Sequence, residues 1–553
     1  MFKRLFIAVL LIFTMTACDN LSTALTEAPT TSITYHSISL ENTFNDTNRD
    51  FDSVAYGETI ALPVDEIEGK VFVGWSDGEN IYNNTLTVET SLSLQAVYED
   101  ASSVFEYSIN PLIEEITITG YLGNSKYLRI PNKIDGYIVR GIASYAFEES
   151  PIIQIELPTT IMRVYPNAFI NLQNLEKVSF YGEFLETEQM VIGDTEYNHI
   201  IEENNETCQI VETTENGWKF SEGCPIIEVL HQSDPIIIPG NDPFCNYIVL
   251  VDSAILTNNY YKAMIDEDAF INLPKLTTFD FPYNLDIFFP SMFNNTPKLS
   301  NLTFPDKGRY FVNDNIVYRS SSTSQIPGQE DYVLVYYPQG LTNKEFTVSN
   351  RVKTIGVMAF YGNDYLEEVN MSDSVTSIGF RAFTYNQNLK AINLEANDSY
   401  FYTIDGILYN RDVLVTYPMS KEDTHFIVPE ETEMIAAYAF YGQKYLEFVS
   451  LNNGLESIGH SAFAGVKKIE LINVPSSVRI IDLYFARESS IETVIINRSL
   501  VLDGSLTIIR ASLDSSSPQF FVPDDSYEDY LADMNWIEYY NFINPISELE
   551  IES

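Results

Sequence analysis

The sequence has four cysteines, five histidines and three tryptophans in 553 residues, and that shortage excludes several chemistries together. A zinc site needs closely paired ligands such as C-x-x-C, and no such pair exists. The histidines (His36, His199, His231, His425 and His460) are scattered without a metal-binding or acid–base spacing. No G-x-S-x-G, H-E-x-x-H or glycine-rich phosphate loop is present. Positive charge is scarce: 31 Lys and Arg face 78 Asp and Glu, for a net charge of −47. Such a field repels nucleic acid and anionic lipid surfaces. With acids this abundant, neighbouring carboxylates arise by accident, and a glycosidase dyad cannot be read from their number. The run from Asp46 to Asp52 begins like a calcium loop, but Phe51 and Gly57 stand where that loop needs glycine and glutamate. No metal, cofactor or catalytic constellation is therefore expected.

Long apolar runs are missing too. Leu5 to Phe13 is nine residues, far short of the ~20 a membrane-spanning helix needs. Aromatic residues are plentiful, with 36 Tyr and 34 Phe, and the phenylalanines recur in a fixed phrase. A small residue before phenylalanine appears as Ala146-Phe147, Ala168-Phe169, Ala269-Phe270, Met292-Phe293, Ala359-Phe360, Ala382-Phe383, Ala439-Phe440 and Ala462-Phe463, with Tyr484-Phe485 closing the series. Within each run the spacing is 22 or 23 residues. A period in the twenties means one small supersecondary unit stacked on copies of itself. Inside the period Leu366, Val369 and Met371 set out an L-x-x-V-x-M core, followed by Val375, Ile378 and Phe383. The skeleton returns as Leu389, Ile392, Leu394 and as Leu446, Val449, Leu451. Its last two apolar positions are two apart, which puts both side chains on one face of a strand. The V-x-x-I-x-x-x-A-F stretch that follows has no clean helical stripe and reads as a second short extended or 3₁₀ segment. One repeat cannot bury this apolar surface alone; stacking joins the pieces into a continuous core.

With Leu157-Pro158, Ile355-Gly356, Ile378-Gly379 and Ile458-Gly459 beside the A-F phrase, the repeats resemble the BspA-like, treponemal-type leucine-rich repeat family. The cysteine that often follows A-F in that family is absent. The resemblance implies a mainly β fold: a leucine-rich-repeat solenoid of 22–23-residue repeats with β-hairpin insertions. Repeats are expected over 105–180, 242–306, 346–395 and 431–518. An irregular insertion occupies 181–241, and hairpin insertions occupy 307–345 and 396–430. Tyr310, Ile316, Tyr318, Leu334, Tyr337 and Pro338 in the first hairpin answer Tyr400, Ile407, Tyr409, Leu414, Tyr417 and Pro418 in the second. Residues 519–553, with a stripe of Tyr527, Tyr530 and Leu531, read as the C-terminal cap that shields the last layer. Ahead of the solenoid, residues 33–99 carry Tyr56-Gly57, Gly74-Trp75 and alternating strands. They resemble the internalin B-repeat type, which implies a small β-grasp-like spacer domain.

The N-terminus reads as a processing signal. Lys3 and Arg4 precede the apolar run, and Met15-Thr16-Ala17-Cys18 resembles a bacterial lipobox, with Met15 where leucine is preferred. Residues 1–17 are then a lipoprotein signal peptide, Cys18 is the lipid attachment site, and 18–32 is a Thr/Ser/Ala/Pro tether. An ordinary secretory signal is the alternative. Lipidation of Cys18 leaves Cys208, Cys224 and Cys245, an odd number; Cys208 and Cys224 bracket a polar stretch and are the candidate disulfide, stapling a hairpin.

With no catalytic set, the functional candidate is the outward face of the stacked strands. Its residues are Glu367, Glu368, Asn370, Lys390, Asn393, Glu447, Phe448, Ser450, Leu471, Asn473 and Thr493. From Glu367 to Thr493 they are expected to form the least obstructed stretch of surface. The expectation is a non-enzymatic, lipid-anchored adhesion or binding protein on the extracellular face of a bacterial membrane. Its partner is an extracellular protein or glycan, with membrane contact through the N-terminal lipid only and no nucleic acid. The alternatives are a structural coat component without a specific ligand, and a surface hydrolase with its site in the 181–241 insertion, which holds His199, Cys208 and His231. Replacing Cys18 by Ser should move the protein from the membrane fraction to the medium on cell fractionation; retention in the membrane would refute the lipid anchor.

Overall fold

The computed structural model describes residues 34–549, apart from 65, 112–113, 183–189, 283–284, 286, 306–308, 321–330, 395–399, 500–506, 510–517 and 534–535; of 192–262 it describes only short strands. Cys18, Cys208, Cys224, Cys245, His199 and His231 lie outside the described residues. Among the described residues no helix is long and apolar enough to cross a membrane, and no three metal-ligating side chains cluster.

The chain divides into two compact units: residues up to Leu62 with Trp75–Gln95, and Pro63–Gly74 with everything from Ala96 onward. In the N-terminal region Tyr35–Asn42 pairs antiparallel with Thr47–Ala55 and parallel with Leu92–Asp100. Trp75, of the Gly-Trp pair, is 1% exposed.

The second unit is a solenoid with two parallel ladders. The first is built from the L-x-x-V-x-L strands. It runs through Tyr127–Arg129, Gln154–Pro158, Lys177–Tyr181, Thr278–Asp280 and Asn301–Thr303. It resumes in Glu345–Thr347, Glu368–Asn370 and Ala391–Asn393, then His425–Ile427 and Phe448–Ser450, and then Leu471–Val474, Thr493–Ile496, Gln519–Val522 and Ile543–Pro545. The last two of these strands lie within the expected cap, which therefore continues the ladder while closing it. The V-x-x-I segment forms the second ladder, with strands as short as Ser377–Ile378 and Ser457–Ile458. In two layers the turn that follows is a 3₁₀ helix, Pro290–Phe293 and Leu483–Ala486.

The phenylalanines form internal columns, each ring 4% exposed or less. Phe147, Phe169 and Phe270 stack with centroids 4.9 and 4.7 Å apart and planes within 6°. Phe360 stacks on Phe383 at 5.2 Å and Phe440 on Phe463 at 4.6 Å. That spacing is the 4.7–4.9 Å strand separation itself. A backbone bond ties rings to the next layer in each run: the N–H of Phe360 donates to the Ala382 carbonyl at 2.8 Å, and that of Phe440 to Ala462 at 2.7 Å. The small residue before phenylalanine is thereby explained, since its carbonyl accepts this bond and its side chain is walled in. The glycine of I-G is equally constrained: a Cβ on Gly379 would lie 2.3 Å from the Val357 nitrogen, and one on Gly459 2.7 Å from that of Ala437.

Two tyrosines that carry no A-F phrase complete the columns. Tyr337 packs on Phe360 at 5.4 Å and Tyr417 stacks on Phe440 at 5.1 Å, each 23 residues ahead of its partner. Both follow the hairpins expected in 307–345 and 396–430, which are Tyr310–Asn313 with Ile316–Ser320 and Tyr402–Ile404 with Ile407–Asn410. They restart the stack, and the core accordingly falls into three clusters that change over at the hairpins. A buried amide knits the same turns: Asn363, fully buried, donates to the carbonyls of Pro338 and Leu341 and accepts from the backbone N–H of Tyr365 and Leu366, all within 3.0 Å. In the following run Gln443 makes the equivalent bonds, donating to the Lys421 carbonyl and accepting from the N–H of Tyr445 and Leu446.

The long insertion differs from its expected boundary. The second ladder passes directly from Arg163–Val164 to Met264–Ile265, while Asn246–Leu250 and Ile255–Asn258 pair antiparallel with each other. It thus continues well past 241, and parallel stacking resumes near Ala263 rather than 242. The apolar strands of 246–258 read like repeat strands, but without an A-F turn nothing brings them into the solenoid register. At the C-terminus Tyr530 and Trp536 are fully buried, and the Tyr530 hydroxyl donates to the Arg498 carbonyl at 2.7 Å. Truncating one column ring, Phe383→Ala, should cost about 3–5 kcal/mol through lost burial and the cavity left behind. Urea unfolding of the wild type and variant measures it, and a loss under about 1 kcal/mol would show that the column does not carry the core.

Candidate binding face

In a parallel ladder each side chain sits directly beside its counterpart in the next layer, so the outward face is written in columns. Glu345, Glu368 and Ala391 form one register column, and Thr347, Asn370 and Asn393 another. Like charges stacked this closely repel: Glu345 and Glu368 each accept from an asparagine of the neighbouring column, and the column of Glu367 alternates its charges. Lys344 Nζ reaches Glu367 Oε1 at 2.6 Å, and Lys390 Nζ reaches Glu367 Oε2 at 2.9 Å. The two ammonium groups hold the Glu367 carboxyl down at about 2, and Glu367 in turn raises Lys390.

The amides pair the same way. Asn370 Nδ2 donates to Glu345 at 2.6 Å and Asn393 Nδ2 donates to Asn370 Oδ1 at 3.0 Å. Asn370 thus donates once and accepts once, while Asn393 also donates to Glu368 at 3.4 Å, so the amides are held by their own and the neighbouring column. Asn370 and Asn393, with Thr347, Met371, Ser372, Asp373 and Leu394, line an open groove of about 720 Å3.

The other candidate residues form a second patch. Glu447 meets Lys468 at 3.3 Å. Phe448 is 44% exposed, with the His425 ring 6.2 Å away, and Ser450 registers against Ile427, itself 74% exposed. Leu471 registers against Thr493, and Asn473 accepts from the Asn497 amide. The two patches are not continuous. The Ile392 N–H donates to the Gly406 carbonyl at 2.9 Å, so the Asp405-Gly406 turn of the second hairpin takes the next place on the ladder after Asn393. A Cβ on Gly406 would lie 2.8 Å from that of Ala391, and both positions are small for that reason. Lys421 pins the turn through Asp405 at 2.8 Å. The expected unobstructed stretch from Glu367 to Thr493 is thus corrected to two patches. The hairpin was legible in the sequence; its docking on a strand 14 residues earlier was not.

The BspA type leucine rich repeat region matches residues 121–210, 226–330, 336–407 and 419–513, more than half of the chain, in six copies. The chain belongs to the BspA-type leucine-rich repeat family. No curated protein matches it. Among solved structures it is similar to a leucine rich cell surface protein from Faecalibacterium prausnitzii, with 19% identity, 75% of this chain and 94% of that one covered, and a TM-score of 0.34. It is also similar to the pneumococcal vaccine antigen PcpA (16% identity, 81% and 99% covered, TM-score 0.32) and to a leucine rich repeat protein of T. pallidum (13%, 66% and 87%, 0.17).

His460, one of the scattered histidines, sits in the turn before Ala462-Phe463 with Nδ1 3.1 Å from the Asp482 carboxylate. Sequence reasoning missed the aromatic residues around that turn, which are distant along the chain.

The Glu367 column gives a direct electrostatic test. Its depressed carboxyl contributes stability that is fully present above the ordinary value of 4.5 and is lost as pH falls through about 2. Carboxyl NMR titration should find Glu367 ionising near 2, and Lys390→Gln should move that midpoint up toward 4.5, as should high salt. An unchanged midpoint in Lys390→Gln would break the column assignment.

Proposed function

We propose that this BspA-type protein is a non-enzymatic binding or adhesion protein, displayed at the bacterial cell surface from a lipid on Cys18, that engages an extracellular protein or glycan through its strand face. The observation that carries the reading is the groove at Asn370 and Asn393. There, amide groups already ordered by their own ladder line an open groove, with Asp373 among its residues. Preorganised polar groups lose little entropy on binding, which is what a recognition surface needs. Solenoids present such columns as extended binding surfaces. The acidic surroundings favour a partner with basic groups, drawn in by a field that salt screens within ~8 Å.

Reversing Glu367 would set three lysines in one column and disturb the stack, so the test leaves it in place. Full-length protein is used to capture ligands from extracellular proteins and a glycan array. For the captured ligand, Asn370→Ala with Asn393→Ala should weaken binding about tenfold or more, at ~1 kcal/mol per hydrogen bond lost. Glu368→Lys should slow association and flatten its salt dependence. Unchanged affinity and salt dependence in both variants would exclude this face.

A further inference from the structure

A second surface lies at the turns that follow the short strands of the second ladder. The residue before A-F adopts a left-handed backbone in successive layers: φ is +55° at Met358, +58° at Arg381, +62° at Tyr438 and +51° at Ser461. Non-glycine residues seldom adopt it. Here the turn ladder enforces it, as in the Tyr438 N–H bond to the His460 carbonyl at 2.9 Å. Arg381 and Tyr438 both occupy this position. The Arg381 guanidinium lies over Tyr438 at 4.9 Å, Tyr361 at 5.1 Å and Tyr385 at 5.9 Å. Tyr385 in turn packs on Tyr441 at 4.6 Å, and their hydroxyls bond to each other.

Two facts set this cluster apart from ordinary surface packing. Arg381 forms no ion pair among the described residues, although acids outnumber bases 78 to 31, and its Nε has no hydrogen-bond partner. A cation ringed by aromatics is thus left without a carboxylate in a chain rich in them. Beside it runs an aromatic row: Phe380 to Tyr438 at 5.3 Å, Tyr438 to His460 at 5.6 Å and His460 to Tyr484 at 5.2 Å. Phe380, at its head, is 52% exposed. Burial also holds the Tyr361 hydroxyl up at about 12, so it stays a neutral donor at any physiological pH.

We propose that this edge is a second binding site, for an extended polypeptide segment of a partner protein that sets a carboxylate on Arg381 and apolar side chains along the row from Phe380 to Tyr484. Charge decides the carboxylate. A guanidinium stacked on aromatic rings is weakly hydrated and pairs with carboxylate in a two-pronged geometry. The row decides the polypeptide. Its neighbouring rings are inclined by 79°, 61° and 60°, so they offer edges and clefts rather than the flat face on which a sugar stacks. Tyr, Phe and Arg are also the residues that concentrate binding energy between proteins. From the Phe380 layer to the Tyr484 layer is on the order of 19 Å at ~4.8 Å per layer, which about six extended residues span.

The probe is a random dodecapeptide library displayed on phage, panned against the full-length protein. Enriched peptides should carry Asp or Glu flanked by aromatic, proline or aliphatic residues. A synthetic peptide of the enriched sequence should bind Arg381→Asn at least about tenfold more weakly, Arg381→Lys in between, and Phe380→Ser several-fold more weakly. Asparagine tolerates the left-handed backbone, so the first variant removes the cation without straining the turn. Thermal melting of each variant should match the wild type. The Asn370→Ala, Asn393→Ala variant should bind the peptide normally, which separates this site from the strand face. Enrichment of Lys- and Arg-rich peptides would report only attraction to a chain of charge −47 and would overturn the proposal. No enrichment, or equal binding by Arg381→Asn and Phe380→Ser, would overturn it as well. Binding of uronic-acid oligosaccharides that is lost in Arg381→Asn would assign the edge to saccharides instead.

Discussion

Everything in the solenoid depends on one repeated constraint: a phenylalanine ring and its own amide must both meet the next layer. In Phe360–Phe383 and Phe440–Phe463 the ring stacks on the ring 23 residues on, and the N–H donates to the carbonyl of the alanine before that ring. Ring stacking rewards burial but tolerates sliding, whereas the amide bond fixes register and rewards little by itself. Together they hold the layers at strand spacing. The alanine before phenylalanine, the left-handed residue before that, and the glycine of I-G all follow, because each sits where two layers come too close for a larger or differently bent residue.

The constraint also explains how the fold accepts insertions. A hairpin can leave between two layers if the next layer restarts the stack, and Tyr337 and Tyr417 do so. Each adds a hydroxyl where the insertion opens the stack; that of Tyr417 donates to Asp423 at 2.7 Å. The core becomes three clusters in series rather than one. Stability in such arrays is a sum over repeats and their interfaces, so an insertion costs one junction and leaves the other layers intact.

The repeat period, the ring columns, the first ladder and both hairpins were legible in the sequence, because each rests on contacts one period apart. The second strand was legible only as a short extended or 3₁₀ segment, since two residues carry too little pattern to choose, and the protein uses both. Tyr337 and Tyr417 were legible as matching hairpin residues, but their place in the column was hidden because the ring type changed while the 23-residue spacing did not. The end of the long insertion was hidden for the opposite reason: strands 246–250 and 255–258 have repeat-like composition without the turn that sets register. On the candidate face the columns Glu367–Lys390 and Asn370–Asn393 could be read from the period, but the break after Asn393 could not. It depends on where a hairpin folds back, and the Arg381 cluster likewise draws on residues from Tyr361 to Tyr441, with a hairpin between them.

Because the core positions are fixed by stacking, the remaining positions are free, and that freedom divides by location. On the strand face a side chain always has a neighbour of its own column, so charges there are answered by a lysine in the column or an amide beside it, and amides pair. The resulting surface is ordered and largely self-satisfied, as Glu367 between two lysines shows. At the turns after the second ladder the left-handed residue projects away from its column, and its neighbours come from several layers and both sides of a hairpin. Nothing in the repeat requires a carboxylate beside Arg381, and none of the described residues supplies one. Nothing in the repeat requires aromatics at Phe380, Tyr438 and Tyr484 either, since Val357, Ser461 and Ala462 hold the corresponding turn positions in other layers. Residues that the stacking does not demand, gathered around an unpaired cation, are where a repeat protein records a partner rather than itself.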